Sequence, residues 1–506
     1  MADKRRYLVG YGVGAVLPKE IEQLTGEFLS GHEQAEEVRR LRGGQRVVRM
    51  TEAEAAQLAR LQTGLAVEED LELELYSPMP GLPPRLPDDP PAHLTVKVVD
   101  AASQQPVGNV TIYCVGERLL YQGMTGRNGV ARLEIPERAV QRVIASPSEG
   151  YWSKLIEAPV IEDNTHLVFA LDELPAREES NWGYRQIGME QLGEGFTGQG
   201  VKVAVIDSGI APHQKLEVSG GYNSLEDQDP DHWNYDRKGH GTHLAGIIAG
   251  MAPEAELYAV KVYPGGRVSD LVDAINWCID NYMDVVSIAL GTVQPSQQVQ
   301  QALLDATQRG ITCIAAAGNG GGAVCYPAAY DEAIGVSAVG NLASFPEDSA
   351  HALQLSECFG YDGEIFFANF SNRGPEIDVC APGVAIPSTV PTGQASWDGT
   401  SMACAHTAGL AALVLEAYPE IRTGDAYQPG YLRQIITGTA SDLGFAAEMQ
   451  GAGLVNAAAA LSSAYSDRAQ EEESMGSYRD YLDGLLSRAK GARAAIEESL
   501  ARLESL

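Results

Sequence analysis

Val203-Ala204-Val205-Ile206-Asp207-Ser208-Gly209 reads as a buried strand that ends on an acid. The run from Val201 to Ile206 is apolar but for Lys202, as in a strand covered on both faces within a parallel sheet. Asp207 then emerges at the carboxyl edge of that sheet, where open α/β folds place their sites. Two distant segments extend the pattern, His240-Gly241-Thr242-His243 and Gly399-Thr400-Ser401-Met402-Ala403. His240 opens a small-residue helix running through His243 to Ala249, suited to close packing on the sheet. Ser401 precedes a long apolar helix from Met402 to Ala417, which puts its hydroxyl at the positive end of a helix dipole.

Taken singly, these are a strand-end acid, a helix-opening imidazole and a capping hydroxyl. Together they stand in the chain order Asp207, His240, Ser401, one of three unrelated orders in which a Ser-His-Asp triad is built. A serine hydroxyl is a weak nucleophile until an imidazole takes its proton, and the imidazole needs a carboxylate to fix its tautomer. A fourth segment, Ile314-Ala315-Ala316-Ala317-Gly318-Asn319-Gly320, is a buried strand that ends in an amide beside glycines. Asn319 can donate to an oxyanion together with the Ser401 N–H, and an Asn-Gly turn is compatible with that role. No Gly-x-Ser-x-Gly elbow surrounds Ser401, which argues against a lipase or esterase.

From about Trp182 to Ala460 the chain resembles a subtilisin-family (subtilase) catalytic domain. Besides the triad segments, the resemblance rests on Leu257–Val262, Tyr326-Pro327-Ala328, Phe370–Pro375, Ala381-Pro382-Gly383 and Gly451–Asn456. It implies a serine endopeptidase with Asp207, His240 and Ser401 as triad and Asn319 as oxyanion donor. Ala289-Leu290-Gly291 becomes the edge that pairs with a substrate backbone, and Gly318 joins the substrate-binding residues. His243 and His406 become structural. The chain departs from the family at Ala405, where a proline is usual, and at Ala289, where a serine is usual. Between Gly250 and Pro253 it lacks the loop with which many subtilases help bind calcium. No metal and no cofactor is therefore expected. An insert over Leu342–Glu364 stands before Phe370, with no readable function.

The 506 residues carry a net charge of −32, which argues against a nucleic-acid or anionic-membrane partner. No apolar run is long enough to span a bilayer. Seven cysteines without CxxC spacing give neither a disulfide framework nor a metal site and suit a reducing compartment. Cys404 lies near Ser401, but the base is already assigned to the serine. Lys4-Arg5-Arg6 before Tyr7–Leu17 superficially resembles a leader, yet Gly10, Gly12 and Gly14 interrupt it and no small-x-small site follows. A cytoplasmic location is expected, with unconventional export left open.

Residues 1–77 read as strand Arg6–Tyr11, helix Lys19–Leu29, strand Arg46–Met50, helix Thr51–Gln62 and strand Leu65–Glu69, a small α+β split-βαβ domain. Thr51-Glu52-Ala53-Glu54 is a capping box for the second helix. The domain resembles the subtilase propeptide through Arg6–Gly10 and Val67–Asp70. In that family the propeptide is folding chaperone and inhibitor, and its tail lies in the substrate groove until the enzyme cuts it. The tail here is Leu71-Glu72-Leu73-Glu74-Leu75-Tyr76, so self-cleavage is expected after Tyr76. That implies preference for a large apolar or aromatic residue before the cut, with Leu73 in a pocket upstream.

Seven prolines between Pro78 and Pro91 make 78–92 a stiff linker, or alternatively a polyproline ligand. Residues 93–174 show period-two alternation in Leu94–Val98 and Val110–Cys114 and a turn at Asn128-Gly129, as in a β-sandwich. It resembles the regulatory-like sandwiches attached to carboxypeptidases; spacer and partner-binding roles both stay open. The catalytic domain spans 175–462. Over 463–506, Tyr478, Leu482, Leu485, Ala489, Ala492, Ile496, Leu500 and Leu503 form one helical stripe, which either packs on its own domain or joins a partner or a second copy. The expected activity is endoproteolysis through an acyl-enzyme, held in check by the chain's own propeptide. The alternatives are a proteolytically silent peptide-binding scaffold and a latent protease awaiting a partner.

Overall fold

The computed structural model describes residues 4–12, 18–32, 35–61, 65–75, 92–116, 119–136, 140–162, 164–175, 181–192, 195–226, 228–423 and 428–462. Tyr76, most of the proline-rich linker and the 463–506 stripe lie outside the described residues.

The first body comprises β1 (Lys4–Tyr11), a helix Pro18–Gly31, β2 (Glu36–Arg40), β3 (Arg46–Thr51), a helix Glu52–Leu58 and β4 (Leu65–Glu69). The strands form an antiparallel sheet in the order β2-β3-β1-β4. Strand side chains alternate between faces, and the two faces have different tasks here. Tyr7, Val9, Val48 and Met50 pack with Phe28, Ala55 and Leu58 of the two helices. Leu8 and Val47 instead join the core of the large domain. Thr51 caps the second helix reciprocally with Glu54, whose carboxylate accepts the Thr51 N–H at 2.8 Å. That helix stops at Leu58, its last buried residue, and not at Gln62; the turns that follow carry the exposed Arg60 and Leu61.

Seven strands follow: β5 (Ala92–Asp100), β6 (Val110–Gly116), β7 (Leu120–Met124), β8 (Val130–Ile135), β9 (Val140–Pro147), β10 (Lys154–Glu157) and β11 (Thr165–Leu171). They make two sheets, β10-β9-β6-β7 and β11-β5-β8. Leu94, Val96 and Val98 of one sheet share a core with Ile112, Cys114 and Val143 of the other.

The large domain is built on β12 (Lys202–Asp207), β13 (Gly220–Asn223), β14 (Glu256–Lys261), β15 (Val285–Ile288), β16 (Thr312–Ala316), β17 (Ala333–Asn341), β18 (Ile365–Phe367) and β19 (Val379–Pro382). Their order is β13-β14-β12-β15-β16-β17-β18, with β19 also on β17, and every pairing except β17–β18 is parallel. Val203 and Val205 face a core shared with the helices His240–Met251 and Thr400–Ala417. Ala204 and Ile206 face the helices Val268–Asp280 and Gln297–Gln308. A strand covered on both faces favours apolar residues, which is why Val203–Ile206 before Asp207 has no polar break. A hairpin, β20 (Ile386–Val390) and β21 (Gly393–Trp397), leads into the helix that carries Ser401.

Candidate active site

Asp207 ends β12 with its carboxylate fully buried. Its Oδ1 accepts the Ser208 N–H at 2.7 Å and the Ser208 hydroxyl at 2.9 Å. His240, first residue of its helix, sets Nδ1 at 2.8 and 2.9 Å from the two carboxylate oxygens. A proton on Nδ1 is the only arrangement that satisfies this contact, so neutral His240 keeps its Nε2 lone pair for use as a base. Gly241 permits the approach, because a Cβ there would stand 2.1 Å from the Gly209 carbonyl oxygen.

Burial pulls the His240 pKa down, but the charge and hydrogen bond of Asp207, with a further contribution from Asp236, outweigh it. The net result is a pKa above the ordinary imidazole value of 6.5. Trp397 lies parallel to the His240 ring at 6.3 Å and to the His243 ring at 4.7 Å. His243 Nε2 in turn bonds the Ala395 carbonyl at 3.1 Å, so that ring holds the hairpin against the histidine helix.

Ser401 sits in the first turn of helix Thr400–Ala417, buried, with Oγ donating to the Ala289 carbonyl at 3.3 Å. Ser401 and His240 line one cleft of about 500 Å³. Asn319 Oδ1 accepts both the N–H and the hydroxyl of Thr400, at 2.9 and 2.8 Å. Those donors fix which end of the amide is oxygen, and so aim Nδ2 toward Gly399. A Cβ on Gly399 would stand 3.3 Å from Asn319 Nδ2 and 3.7 Å from the Ser401 nitrogen. The space that glycine leaves open is therefore flanked by two N–H donors, as an oxyanion requires.

Gly318 gives its N–H to Thr400 Oγ1 at 3.1 Å and its carbonyl to the Asn372 N–H at 2.9 Å. It adopts a φ of +103°, and a Cβ would meet Asn372 Nδ2 at 2.4 Å. Its backbone shapes the turn that delivers Asn319. Leu290 is buried in the core, while the backbone of Gly291 faces Glu74.

The edge at Gly291 is occupied. Glu74 and Gly291 pair as in an antiparallel ladder, and Leu73 donates to the Gly266 carbonyl at 2.8 Å while Val268 donates to that of Leu71 at 2.9 Å. Residues 71–75 are thus an added strand between two edges of the large domain. Leu73 is buried among Val268, Leu271, Val299, Tyr326 and Tyr330.

Other groups near the site are inert. Burial pushes the Cys404 thiol up to about 12, so it stays protonated at neutral pH. Burial pulls His406 down to about 4, and its Nδ1 bonds the Met402 carbonyl at 2.8 Å, as a neutral structural ring does. Among the described residues no three His, Cys, Asp or Glu side chains gather as metal ligands. Sequence reading missed Ser208, Thr400 and Trp397 as supports. Ser208 and Thr400 adjoin their triad partners inside the quoted motifs and were readable there; Trp397, a lone aromatic before the Gly399 turn, carried no signal.

The family model described as "Subtilase family" matches residues 198–455. Subtilisin Savinase of Lederbergia lenta is 37% identical over 294 residues, covering 55% of this chain and 97% of that protein. An alkaline protease of Alkalihalobacillus alcalophilus is also 37% identical over 294 residues, covering 69% of its length. Among solved structures, fervidolysin of Fervidobacterium pennivorans, a keratinolytic enzyme related to subtilisin, superposes with a TM-score of 0.57 at 22% identity. That match spans 91% of this chain and 61% of fervidolysin, a likeness of fold.

Proposed function

This chain belongs to the subtilase family and is a subtilisin-like serine endopeptidase, and on that premise we propose that it is made as a self-inhibited zymogen working through Asp207, His240 and Ser401. Ser401 Oγ attacks the scissile carbonyl while His240 Nε2 takes its proton. The tetrahedral oxyanion sits over Gly399 between Asn319 Nδ2 and the Ser401 N–H. Collapse expels the amine, which leaves with the proton from His240, and the carbonyl stays esterified to Ser401. Water, deprotonated by His240, then attacks the ester, and Ser401 Oγ departs with that proton. Asp207 holds the imidazole in its tautomer and stabilises the cation throughout.

One observation carries the zymogen reading: residues 71–75 lie in β pairing along the edge that leads to Ser401. Ala289 stands two residues before Gly291 on that edge, and its carbonyl neighbours the Ser401 hydroxyl. We therefore assign the cut to the bond after Tyr76, with residues 1–76 as inhibitor. The same pairing supports preference for a large apolar or aromatic residue before the cut and for leucine in the Leu73 chamber. Seven cysteines, none in a disulfide and six of them buried, fit a reducing compartment. No metal or cofactor enters this scheme.

Intact-mass analysis of wild type beside Ser401→Ala, followed over hours at neutral pH, tests it. Wild type should lose a fragment ending at Tyr76 while the variant stays whole. Cleavage of both chains, or a fragment ending elsewhere, refutes the assignment; a whole wild type would identify a latent enzyme that needs outside trimming.

A further inference from the structure

The cleft around Ser401 does not end with the subtilase domain. It begins at Leu75, crosses His240, Ser401 and Met402, and closes on Tyr113, Ile144 and Ser146 of the sandwich and on His351 and Leu353 of the Leu342–Glu364 insert. Residues 71–75 fill the acyl side of the scissile position. Leu75 lines the same cleft as Ser401, and two of its walls come from the sandwich and the insert.

Those walls are fixed. Gly150 donates to the Gln394 carbonyl and Leu155 to that of Asp348, both at 2.8 Å. Lys154 Nζ bridges Asp348 at 3.0 Å and Asp172 at 3.2 Å. Trp152 is buried in the core of the large domain and meets the His351 ring edge-on at 5.7 Å. His351 is itself tied by Nδ1 to Asp398 at 2.7 Å, and the same Asp398 oxygen accepts the Ala385 N–H at 2.7 Å. Sandwich, insert and the loop before Ser401 thus form one braced unit.

We propose that the sandwich and the insert form the leaving-group subsites of the protease, selecting apolar side chains immediately after the scissile bond. This rests on the reading that residues 71–75 occupy the acyl side. Tyr113, Ile144, Leu353, Trp397 and Met402 supply the apolar part of a cleft that Ser146, Ser153, Gln354 and Ser396 also line, and its carboxylate, Asp398, is already engaged. Lys238 is the single lysine or arginine in that lining, so an acidic side chain would meet one fixed cation in a chain of net charge −32.

Acyl transfer reads these subsites alone. An ester substrate acylates Ser401; added amines then compete with water, the amine nitrogen forming the new amide as Ser401 Oγ leaves and recovers its proton through His240. Leucinamide should capture the acyl group at least about tenfold better than glycinamide or glutamic acid α-amide in wild type. In Tyr113→Lys and Leu353→Lys that order should shift toward the acidic amine by about tenfold, while the rate ratio of two esters that share a leaving group and differ only in the residue before the bond holds within about twofold. An unchanged amine order in both variants would overturn the proposal. Altered acyl-side preference with an intact amine order would instead refute the reading of residues 71–75.

A second measurement needs no turnover of its probe. Self-cleaved wild type whose Ser401 has been sulfonylated has no chain joined after Tyr76, and a short peptide amide that begins with benzoylphenylalanine should photolabel segments 110–116 or 350–356 on irradiation. Labelling confined to other segments overturns the assignment.

Discussion

Glu74 and Gly291 exchange both backbone hydrogen bonds, the Glu74 N–H at 3.1 Å and the Gly291 N–H at 3.3 Å. A pair of this kind is blind to side chains, so main chain supplies affinity and alternate side chains supply selectivity. Here the alternation sends Leu73 into the enzyme, while Glu72 turns out to meet Arg267 at 2.8 Å. Gly291 must stay a glycine for the strand to lie there, since a Cβ would collide with the Tyr326 carbonyl.

On the proposed cut after Tyr76, enclosure of Leu73 predicts substrate preference four residues before it. Burying a leucine side chain contributes roughly 1.5–3 kcal/mol. Peptides with Leu at that position should therefore exceed Ala analogues by roughly 10–200-fold in kcat/KM. A matched pair of quenched peptides measures it, and equal rates would remove the chamber from the specificity account.

The raised pKa of His240 predicts the acid limb of the pH profile. Catalysis needs the neutral ring, so kcat/KM should rise with pH through a midpoint above 6.5, the ordinary imidazole value. Stability runs the other way. The folded chain holds this proton more tightly than the unfolded one, so the contribution is full below the unfolded pKa and fades as pH rises through the folded pKa. Asp207→Asn should lower the midpoint as well as the rate, because it removes the charge that opposes burial. An unmoved midpoint would mean that Asp207 does not set the titration.

How legible this was depends on where each residue draws its support. Asp207, His240, Ser401 and Asn319 sit at ends of fully buried elements, where local sequence fixes both the element and its terminus. The strand Glu36–Arg40 was not foreseen, because Glu-Glu-Val-Arg-Arg lacks apolar alternation. It forms as an edge strand whose arginines find acids elsewhere, Arg39 reaching Asp270 at 2.6 Å and Asp273 at 2.7 Å. The sandwich wall of the cleft was equally invisible. Tyr113 and Ser146 are ordinary strand residues by pattern, and only packing through Trp152 brings them beside Ser401.

Asn319→Ala should cost roughly 10²–10³ in kcat with little change in KM, a magnitude measured on a subtilisin, a relative of this chain. The Thr400 N–H and hydroxyl also lose their acceptor, so a fall in thermal midpoint should accompany it. Gly399→Ala separates the two effects. Its Cβ would enter the space beside Asn319 Nδ2 without removing any donor, so activity should fall while the Thr400 contacts persist. Steady-state kinetics with calorimetry on both variants checks this, and full activity in Gly399→Ala would displace the oxyanion from that space.

With residues 1–76 as the proposed inhibitor, Glu68 predicts how firmly they are held. Its carboxylate accepts the Gln297 N–H at 3.0 Å, the Gln298 N–H at 3.3 Å and the Ser296 hydroxyl, crowning the helix Gln297–Gln308 from outside. Ser296 Oγ meanwhile accepts the Val299 N–H at 3.1 Å, so acid and hydroxyl share the exposed donors of one helix end. Burial nevertheless raises the Glu68 pKa above its ordinary value despite these bonds. The seated carboxylate thus gives up some stability to desolvation above that pKa, and a neutral amide of the same shape escapes the penalty. Glu68→Ala should weaken seating by about 1–2 kcal/mol, the cost of a lost cap, or roughly 5–30-fold in the bound ratio. Glu68→Gln should fall between that variant and wild type. The lag before full activity after self-cleavage reads the release, and it should shorten in the order wild type, Gln, Ala. A lag equal in all three would show that the helix end does not hold the inhibitor.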